Sequence, residues 1–140
     1  MEKIKIGISH GDINGIGYEI IIKTLMDTRI MELCTPIVYG SAKVAAYHRK
    51  ALNIDNFSFN NIRHSSEANP KRPNLINCVN EEVRVELGKS TKMAGESAYN
   101  ALKFAVKDLQ EEKIDALVTA PINKHNIQSD NFNFSGHTEY

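Results

Sequence analysis

The chain has 140 residues, a formal net charge of +0 at pH 7, and 41% hydrophobic and 24% charged residues. This length is typical of one domain, and the composition is that of a soluble globular protein. Without a basic excess, and without an apolar run near the roughly 18 residues that span a bilayer, the sequence argues against a nucleic-acid-binding or membrane protein.

The first part of the chain alternates predicted strands and helices. Ile4, Ile6 and Ile8 predict a first strand, which is followed by a polar, glycine-spaced loop over residues 9–17. A helix is predicted next, with Glu19 in its first turn, where the helix dipole favours an anion. A second strand is predicted at 35–40, and Ser41 is the expected N-cap of a helix through residue 52.

The remaining elements complete an α/β pattern. Short strands are predicted at 57–59 and 75–79, on either side of a loop at 69–73. An alanine-rich apolar stripe predicts a long helix from about residue 93 to 112, and an apolar run at 114–118 predicts a buried strand. Pro121 suits the first turn of a further helix. We therefore expect a mostly parallel sheet flanked by helices, within one domain over residues 1–140.

Two glycine-containing stretches resemble phosphate loops. The glycines of residues 11–17 follow the pattern G-xxx-G-x-G, whereas a dinucleotide fingerprint needs G-x-G-x-x-G. A tight structural turn and an anion site both remain possible for this loop. Residues 88–91 copy the end of a Walker A motif, but Val83 occupies the position of its leading glycine. We therefore exclude a P-loop there.

Several histidines and the cysteines were considered as metal ligands. No two histidines have the i, i+4 spacing of a helical zinc pair, so a metal site made only from this chain is not expected. His48 and His64 are interpreted as surface histidines. Cys34 and Cys78 lack metal-ligand spacing, and we expect reduced, buried thiols in a cytoplasmic protein.

Side chains able to bind a substrate follow the last predicted strand, where open α/β sheets place their ligands. Lys124 is either a solvated lysine or a point charge for a phosphate or carboxylate. His137 follows Gly136, which gives it backbone room, and precedes the hydroxyl of Thr138. These two residues are either functional or part of a helix-capping turn that ends in Glu139.

Three stretches together resemble the 4-hydroxythreonine-4-phosphate dehydrogenase family of vitamin B6 biosynthesis. They are Gly-Asp-Ile-Asn-Gly-Ile-Gly-Tyr-Glu-Ile at 11–20, Thr-Ala-Pro-Ile-Asn-Lys at 119–124 and Phe-Ser-Gly-His-Thr-Glu at 134–139, which we call the first, second and third motifs. The chain departs from the family's usual Pro, Ala and Pro at Ile13, Asn14 and Tyr18.

The resemblance implies a fold like isocitrate and isopropylmalate dehydrogenases, without a Rossmann unit, and a homodimer. It implies oxidation of 4-phosphooxy-L-threonine to 3-amino-2-oxo-4-phosphooxybutanoate, followed by decarboxylation, with NAD or NADP and a divalent metal such as Zn, Mg or Co. His137 and Thr138 match the family's substrate contacts, and we add Lys124 and Asp12 on chemical grounds. No catalytic, cofactor-binding or metal-ligating residue is assigned.

The family's chains are considerably longer than this one. Their metal-binding histidines and most of their NAD-binding surface lie beyond the third motif, so these ligands are expected beyond residue 140. We therefore expect an N-terminal portion of the family's fold that is inactive alone. Two alternatives remain: a paralogous dehydrogenase of a phosphorylated sugar acid (phospho-threonate or phospho-erythronate), or a non-catalytic small-molecule-binding or dimerisation module.

Overall fold

Five parallel strands form one sheet in the order β3-β4-β2-β1-β5. The computed structural model describes residues 3–79, 82–128, 133 and 136. In chain order the elements are β1 Ile4–Ser9, α1 Gly17–Leu25, α2 Thr28–Leu33, β2 Cys34–Gly40, α3 Ala42–Ala51, β3 Asn60–Ile62, a 3₁₀ turn at Ser65–Glu67, β4 Asn74–Asn77, α4 Lys92–Gln110 and β5 Ala116–Thr119. The predicted α/β class and the parallel sheet are confirmed.

Helices cover both faces of the sheet, and alternate residues of β2 face opposite layers. Val38 packs with residues of α1 and α3, in a cluster that includes Ile22 and Val44. Ile37 and Tyr39 pack on the other face against the small side chains of α4, including Ala101 and Ala105. Alanine allows α4 to lie close to the sheet, as its sequence pattern predicted.

Side-chain caps fix the starts of α3 and α4, as Asp27 does for α2. Ser41 Oγ accepts a hydrogen bond from Val44 N (3.1 Å), which confirms the predicted N-cap of α3. Thr91 Oγ1 accepts one from Ala94 N (3.1 Å) and so caps α4. A cap of this kind contributes about 1 kcal/mol. Thr91, which directly follows the Gly-Lys-Ser stretch that imitates a Walker A motif, is therefore engaged in capping α4.

Several local features differ from the predictions. The strand predicted as buried at 114–118 corresponds to β5, which lies at the edge of the described sheet and has Val118 54% exposed. Helix α2 was not predicted. The strand predicted at 57–59 lies three residues later, at β3, because ladder pairing with β4 starts at Asn60. The Phe57 and Phe59 rings instead pack edge to face, with centroids 5.0 Å apart. No helix begins at Pro121, since its carbonyl accepts a hydrogen bond from Asp12 N (2.8 Å), and residues 124–127 form a turn.

Cys34 is buried, Cys78 is partly buried, and both are free thiols. Of the helices in the described part of the chain, none has the length and apolarity to cross a bilayer.

Candidate functional site

The first and second motifs leave the same edge of the sheet from neighbouring strands. β1 and β5 are parallel and paired in register, with Ser9 opposite Thr119 at their carboxyl ends. After β1 the chain turns to α1 on one face. After β5 it turns to the other face, where Ile127 packs against Ala98 and Leu102 of α4. Adjacent strands whose connections depart to opposite faces leave a crevice between them, which is where open α/β sheets bind ligands.

Direct backbone contacts join the two motifs. Asp12 N donates to Pro121 O (2.8 Å), and Ala120 N donates to Ser9 O (3.1 Å). Gly11 has a φ of +70°, and a Cβ there would overlap Pro121 O and lie 2.8 Å from Ala120 O. A Cβ on Gly17 would lie 2.7 Å from His10 O. The glycine spacing therefore serves a tight turn and close approach of the two motifs, and an anion at this loop stays a prediction.

Asp12 shapes the loop that contains it. Its Oδ1 accepts a hydrogen bond from Asn14 N (3.1 Å), and its backbone carbonyl accepts one from Gly15 N (3.1 Å). This is the local side-chain turn that Asp forms readily. The residue is half-buried at the rim of the crevice, as a substrate contact would require, but one carboxylate oxygen is used by the loop itself.

Asn14 fastens the first motif to the segment before α4. Only 2% of the residue is exposed. Its Oδ1 accepts from Glu86 N (2.7 Å), its Nδ2 donates to Lys89 O (3.0 Å), and its carbonyl accepts from Gly88 N (2.9 Å). A buried amide is tolerated because these hydrogen bonds satisfy it. The segment at 86–89 is thereby held against the first motif.

Lys124 lies on the turn that follows the second motif. Asn123 Oδ1 accepts from His125 N (2.9 Å) and Asn126 N (3.1 Å), which shapes that turn and leaves Lys124 exposed. A Cβ on Gly136 would lie 3.6 Å from Lys124 Cε. The glycine of the third motif is therefore next to the lysine of the second.

Two of the predicted site residues fall outside the described part of the chain. His137 and Thr138 are not among the residues that the structure describes, so their contact with a substrate stays a prediction. The structure brings the Asp12 and Lys124 segments together through Pro121, and it puts Gly136 beside Lys124. The first two predicted stretches, and one residue of the third, thus adjoin.

His10 and Tyr18 form a buried pair beneath the first motif that the sequence did not predict. His10 Nδ1 lies 2.7 Å from Tyr18 Oη, and His10 Nε2 lies 3.0 Å from Ser97 O. Both residues are 0% exposed. Burial lowers the pKa of His10 to about 4 and raises the pKa of Tyr18. Near neutral pH both side chains are therefore uncharged, and His10 is no candidate acid or base for exposed chemistry.

The prediction that His48 is a surface histidine is wrong. The residue is 6% exposed, its Nε2 lies 2.8 Å from Ile13 O, and its ring stacks on Tyr18 with centroids 5.4 Å apart. Burial lowers its pKa. The signal was present, because His48 falls three and four residues after buried Ala45 and Val44 on α3. His64 is exposed, as predicted.

No metal-binding group is found in the part of the chain that the structure describes. Among residues 3–79, 82–128, 133 and 136, no three His, Cys, Asp or Glu side chains gather where they could hold an ion. The described half of the site therefore offers hydrogen-bond donors, an exposed ammonium group at Lys124 and the carboxylate of Asp12. Such a surface can orient a small anionic molecule by charge and hydrogen bonds.

Comparison with known proteins gives a consistent result. The family described as pyridoxal phosphate biosynthetic protein PdxA matches residues 32–140. A 4-hydroxythreonine-4-phosphate dehydrogenase of Bacteroides thetaiotaomicron is 56% identical over 139 residues, which are 99% of this chain and 38% of that protein. A putative D-threonate 4-phosphate dehydrogenase of Clostridium botulinum is 35% identical over 137 residues, 96% of this chain and 41% of that protein.

A solved structure agrees with the fold. The crystal structure of a 4-hydroxythreonine-4-phosphate dehydrogenase from Burkholderia phymatum superposes with a TM-score of 0.86 at 31% identity, covering 99% of this chain and 42% of that one. The chain thus spans between 38% and 42% of the length of these proteins.

Proposed function

The chain belongs to the PdxA family of pyridoxal phosphate biosynthetic proteins, and from this premise we propose that the whole protein oxidises 4-phosphooxy-L-threonine. The secondary alcohol lies on carbon 3 of this substrate, so the product is the β-keto acid 2-amino-3-oxo-4-phosphooxybutanoate and not the 3-amino-2-oxo isomer named in the sequence analysis. It is an intermediate on the way to pyridoxal 5'-phosphate. The name of the Bacteroides relative, 4-hydroxythreonine-4-phosphate dehydrogenase, supports this assignment at 56% identity.

The proposed reaction is an alcohol oxidation followed by loss of carbon dioxide. The carbon that bears the secondary alcohol gives a hydride to NAD or NADP, and the hydroxyl gives up its proton, which leaves a ketone. The resulting β-keto acid then loses its carboxyl group as carbon dioxide. The protein must therefore orient an alcohol, a carboxylate and a phosphate of one small substrate.

The observation that carries the proposal is the junction of the first and second motifs. Asp12 N donates to Pro121 O across the carboxyl ends of adjacent parallel strands. Two motifs that are separated in sequence by residues 21–118 thereby share one edge of the crevice. In such a crevice an α/β protein holds its substrate.

Each site residue has a proposed role that follows from its chemistry. The exposed ammonium group of Lys124 neutralises a phosphate or carboxylate oxygen. Asp12 keeps the first motif in shape through Asn14 N and faces the substrate amine or hydroxyl with its second oxygen. His137 and Thr138 donate hydrogen bonds that orient the substrate. None of these residues is assigned the hydride step.

The described residues do not make a metal site, so no step is derived through a metal here. No group of three candidate metal ligands exists among them, so we propose that the divalent metal is held by residues outside the described part. We propose separately that most of the nicotinamide-binding surface also lies there. We include in the proposal a homodimer in the cytoplasm, supported by family membership alone.

Replacing Lys124 is expected to weaken substrate binding. A hydrogen bond to a charged group contributes about 1.5–3 kcal/mol, so Lys124→Ala should raise the dissociation constant for 4-phosphooxy-L-threonine roughly 10- to 150-fold. Lys50→Ala is the matched control, since Lys50 is an exposed lysine near the end of α3. Isothermal titration calorimetry on the whole protein measures both. Equal affinities in the two variants would contradict the role of Lys124.

The same titration separates an enzyme from a non-catalytic binding module. His137→Ala and Thr138→Ala each remove a substrate hydrogen bond, with an expected loss of roughly 0.5–3 kcal/mol. A module that binds elsewhere would keep its affinity in both variants, and would show no NADH formation in the unaltered protein.

We also propose that the 140-residue chain is inactive by itself. The chain spans 38% of the Bacteroides relative, and its described residues lack a metal site. Incubation of the purified chain with 4-phosphooxy-L-threonine, NAD and a divalent metal should give no absorbance of NADH. Measurable NADH would refute this proposal.

A second candidate substrate is D-threonate 4-phosphate. It is favoured by the Clostridium relative, whose name specifies that substrate, at 35% identity. The two molecules differ by an amine against a hydroxyl, and the higher identity to the Bacteroides protein supports the amino acid. Rates of NADH formation on the two substrates, measured with the whole protein at equal concentrations, distinguish them.

A further inference from the structure

A buried polar cluster lies directly beneath the first motif, and the proposed reaction does not use it. It consists of His10, Tyr18 and His48, whose exposed fractions are 0%, 0% and 6%. The Tyr18 ring meets His10 edge-on and stacks on His48, each with centroids 5.4 Å apart. We call these three residues the buried triad.

The partners of the triad fix where each hydrogen lies. Ser97 O is a carbonyl and only accepts, so His10 Nε2 carries the hydrogen and His10 Nδ1 accepts. Tyr18 Oη therefore donates to His10 Nδ1, at 2.7 Å, and accepts from Ser41 N, at 3.0 Å. One tautomer of neutral His10 satisfies every group.

These bonds connect the first motif to two other elements, α3 and α4. Ser41 is the cap of α3, and Ser97 belongs to α4. His48, also on α3, donates from Nε2 to the carbonyl of Ile13 inside the motif. Apart from the bond between His10 and Tyr18, each of these hydrogen bonds joins a triad side chain to a backbone group. The triad therefore fixes the path of the chain.

The neighbouring backbone is shaped to admit the triad. A Cβ on Gly40 would overlap Tyr18 Oη and lie 2.8 Å from His10 Nδ1. Polar side chains cost free energy when buried without partners, and a filled apolar site would avoid that risk. The arrangement therefore favours a defined position of His10, the residue that precedes Gly11, over the greater stability that an apolar cluster could give.

We propose that His10 and Tyr18 are positioning residues that hold the Gly11–Asp12 segment against Pro121. His10 is followed directly by Gly11 and then by Asp12, whose N–H donates to Pro121 O. A His10 ring released from Tyr18 moves this segment, and with it the junction of the two motifs. The effect on substrate binding rests on the proposed function; the effect on the junction does not.

Tyr18→Phe in the whole protein tests the proposal against Tyr39→Phe. Tyr39 is a matched control because its hydroxyl is also engaged, with Asp108, but on the α4 face of the sheet. Loss of one hydrogen bond, worth about 1 kcal/mol, corresponds to a roughly five- to tenfold change. We expect hydrogen exchange of the Asp12 amide to accelerate by that factor in Tyr18→Phe and to stay unaltered in Tyr39→Phe.

Steady-state kinetics distinguish a positioning role from a purely structural one, because a purely structural role would not change KM selectively. Tyr18→Phe should raise KM for 4-phosphooxy-L-threonine by about five- to tenfold with kcat nearly constant, because no reacting atom is touched. Unaltered exchange and unaltered KM together overturn the proposal. If the unaltered protein fails to turn over the substrate, the proposed function falls, and accelerated exchange of Asp12 still supports the positioning role.

A measurement on the unaltered protein covers the case in which Tyr18→Phe does not fold. Nitrogen NMR of the histidine rings should show His10 as the neutral Nε2–H tautomer at pH 7. A protonated ring, or the Nδ1–H tautomer, would remove the acceptor for Tyr18 and overturn the proposal.

Discussion

Gly11→Ala is expected to destabilise the protein by about 2–5 kcal/mol. Gly11 has a φ of +70°, and a left-handed conformation costs a residue with a Cβ roughly 1–2 kcal/mol. The added Cβ would also overlap Pro121 O and lie 2.8 Å from Ala120 O. Both are backbone atoms that cannot rotate away, and overpacking of this kind costs about 1–3 kcal/mol more. Urea denaturation measures the free energy of unfolding.

Gly88→Ala is the matched control for this change. Its φ is +75°, but nothing lies within 4 Å of an added Cβ. Only the conformational cost applies, so we expect a loss of about 1–2 kcal/mol. If the two variants were destabilised equally, the close approach of the first and second motifs would be absent in solution. A larger loss in Gly11→Ala, together with weaker binding of 4-phosphooxy-L-threonine, supports the junction.

The sequence predicted most elements that show a clear apolar period or a capping residue. The alternation of Ile4, Ile6 and Ile8 gave β1, and the alanine stripe gave α4 within two residues at each end. Ser41 was identified as a cap because its side chain bonds only three residues ahead. In these elements, periodicity and capping chemistry suffice to identify the element, although its packing partners are elsewhere in the chain.

Two elements, α2 and β3, were not predicted at their positions. Helix α2 has six residues, none of them buried, so it shows no apolar stripe. β3 is placed by its pairing with β4, at Asn60↔Asn74, and the more apolar Phe57 and Phe59 serve as packing instead. Where tertiary pairing selects the strand, residue preference is a weak guide.

The candidate site also has features that the sequence predicted and features that it did not. Sequence order suggested that polar residues follow the ends of β1 and β5, but not that these strands are neighbours. The buried triad was missed because Tyr18 and His10 are satisfied by Ser41 and Ser97, which no spacing rule connects to them. Asn14 and Tyr18 had been noted only as departures from the family motif. The structure gives both of them buried bonds to other segments.

Gly95→Ala should destabilise the protein although the substitution favours a helix. Gly95 lies in α4, where alanine is normally better than glycine by about 0.5–1 kcal/mol. Here a Cβ would overlap the backbone carbonyl of Asn126 and lie 3.1 Å from Ile127 N. The steric cost therefore opposes the gain in helix propensity, and its size decides the sign.

The free-energy cost of exposing Ile127 sets an upper bound on the steric cost of Gly95→Ala. The turn at 124–127 can swing away from α4, which exposes Ile127, a residue that is 2% exposed. Full exposure of an isoleucine costs about 1.5–3 kcal/mol. Subtracting the helix gain leaves a net loss of about 0.5 kcal/mol to at most about 2.5 kcal/mol in urea denaturation. Asn100→Ala, at an exposed position of the same helix, should instead gain a few tenths of a kcal/mol.

A double-mutant cycle with Ile127→Ala tests whether the turn at 124–127 moves away from α4 to avoid the steric overlap in Gly95→Ala. In the unaltered protein, truncating this buried side chain should cost about 2–5 kcal/mol. If the turn has swung away in Gly95→Ala, the same truncation costs much less there, and the two changes are not additive. Because Lys124 lies on that turn and beside Gly136, the variant should also bind 4-phosphooxy-L-threonine more weakly. A stabilised Gly95→Ala protein with unaltered affinity would show that α4 and the turn are not in contact.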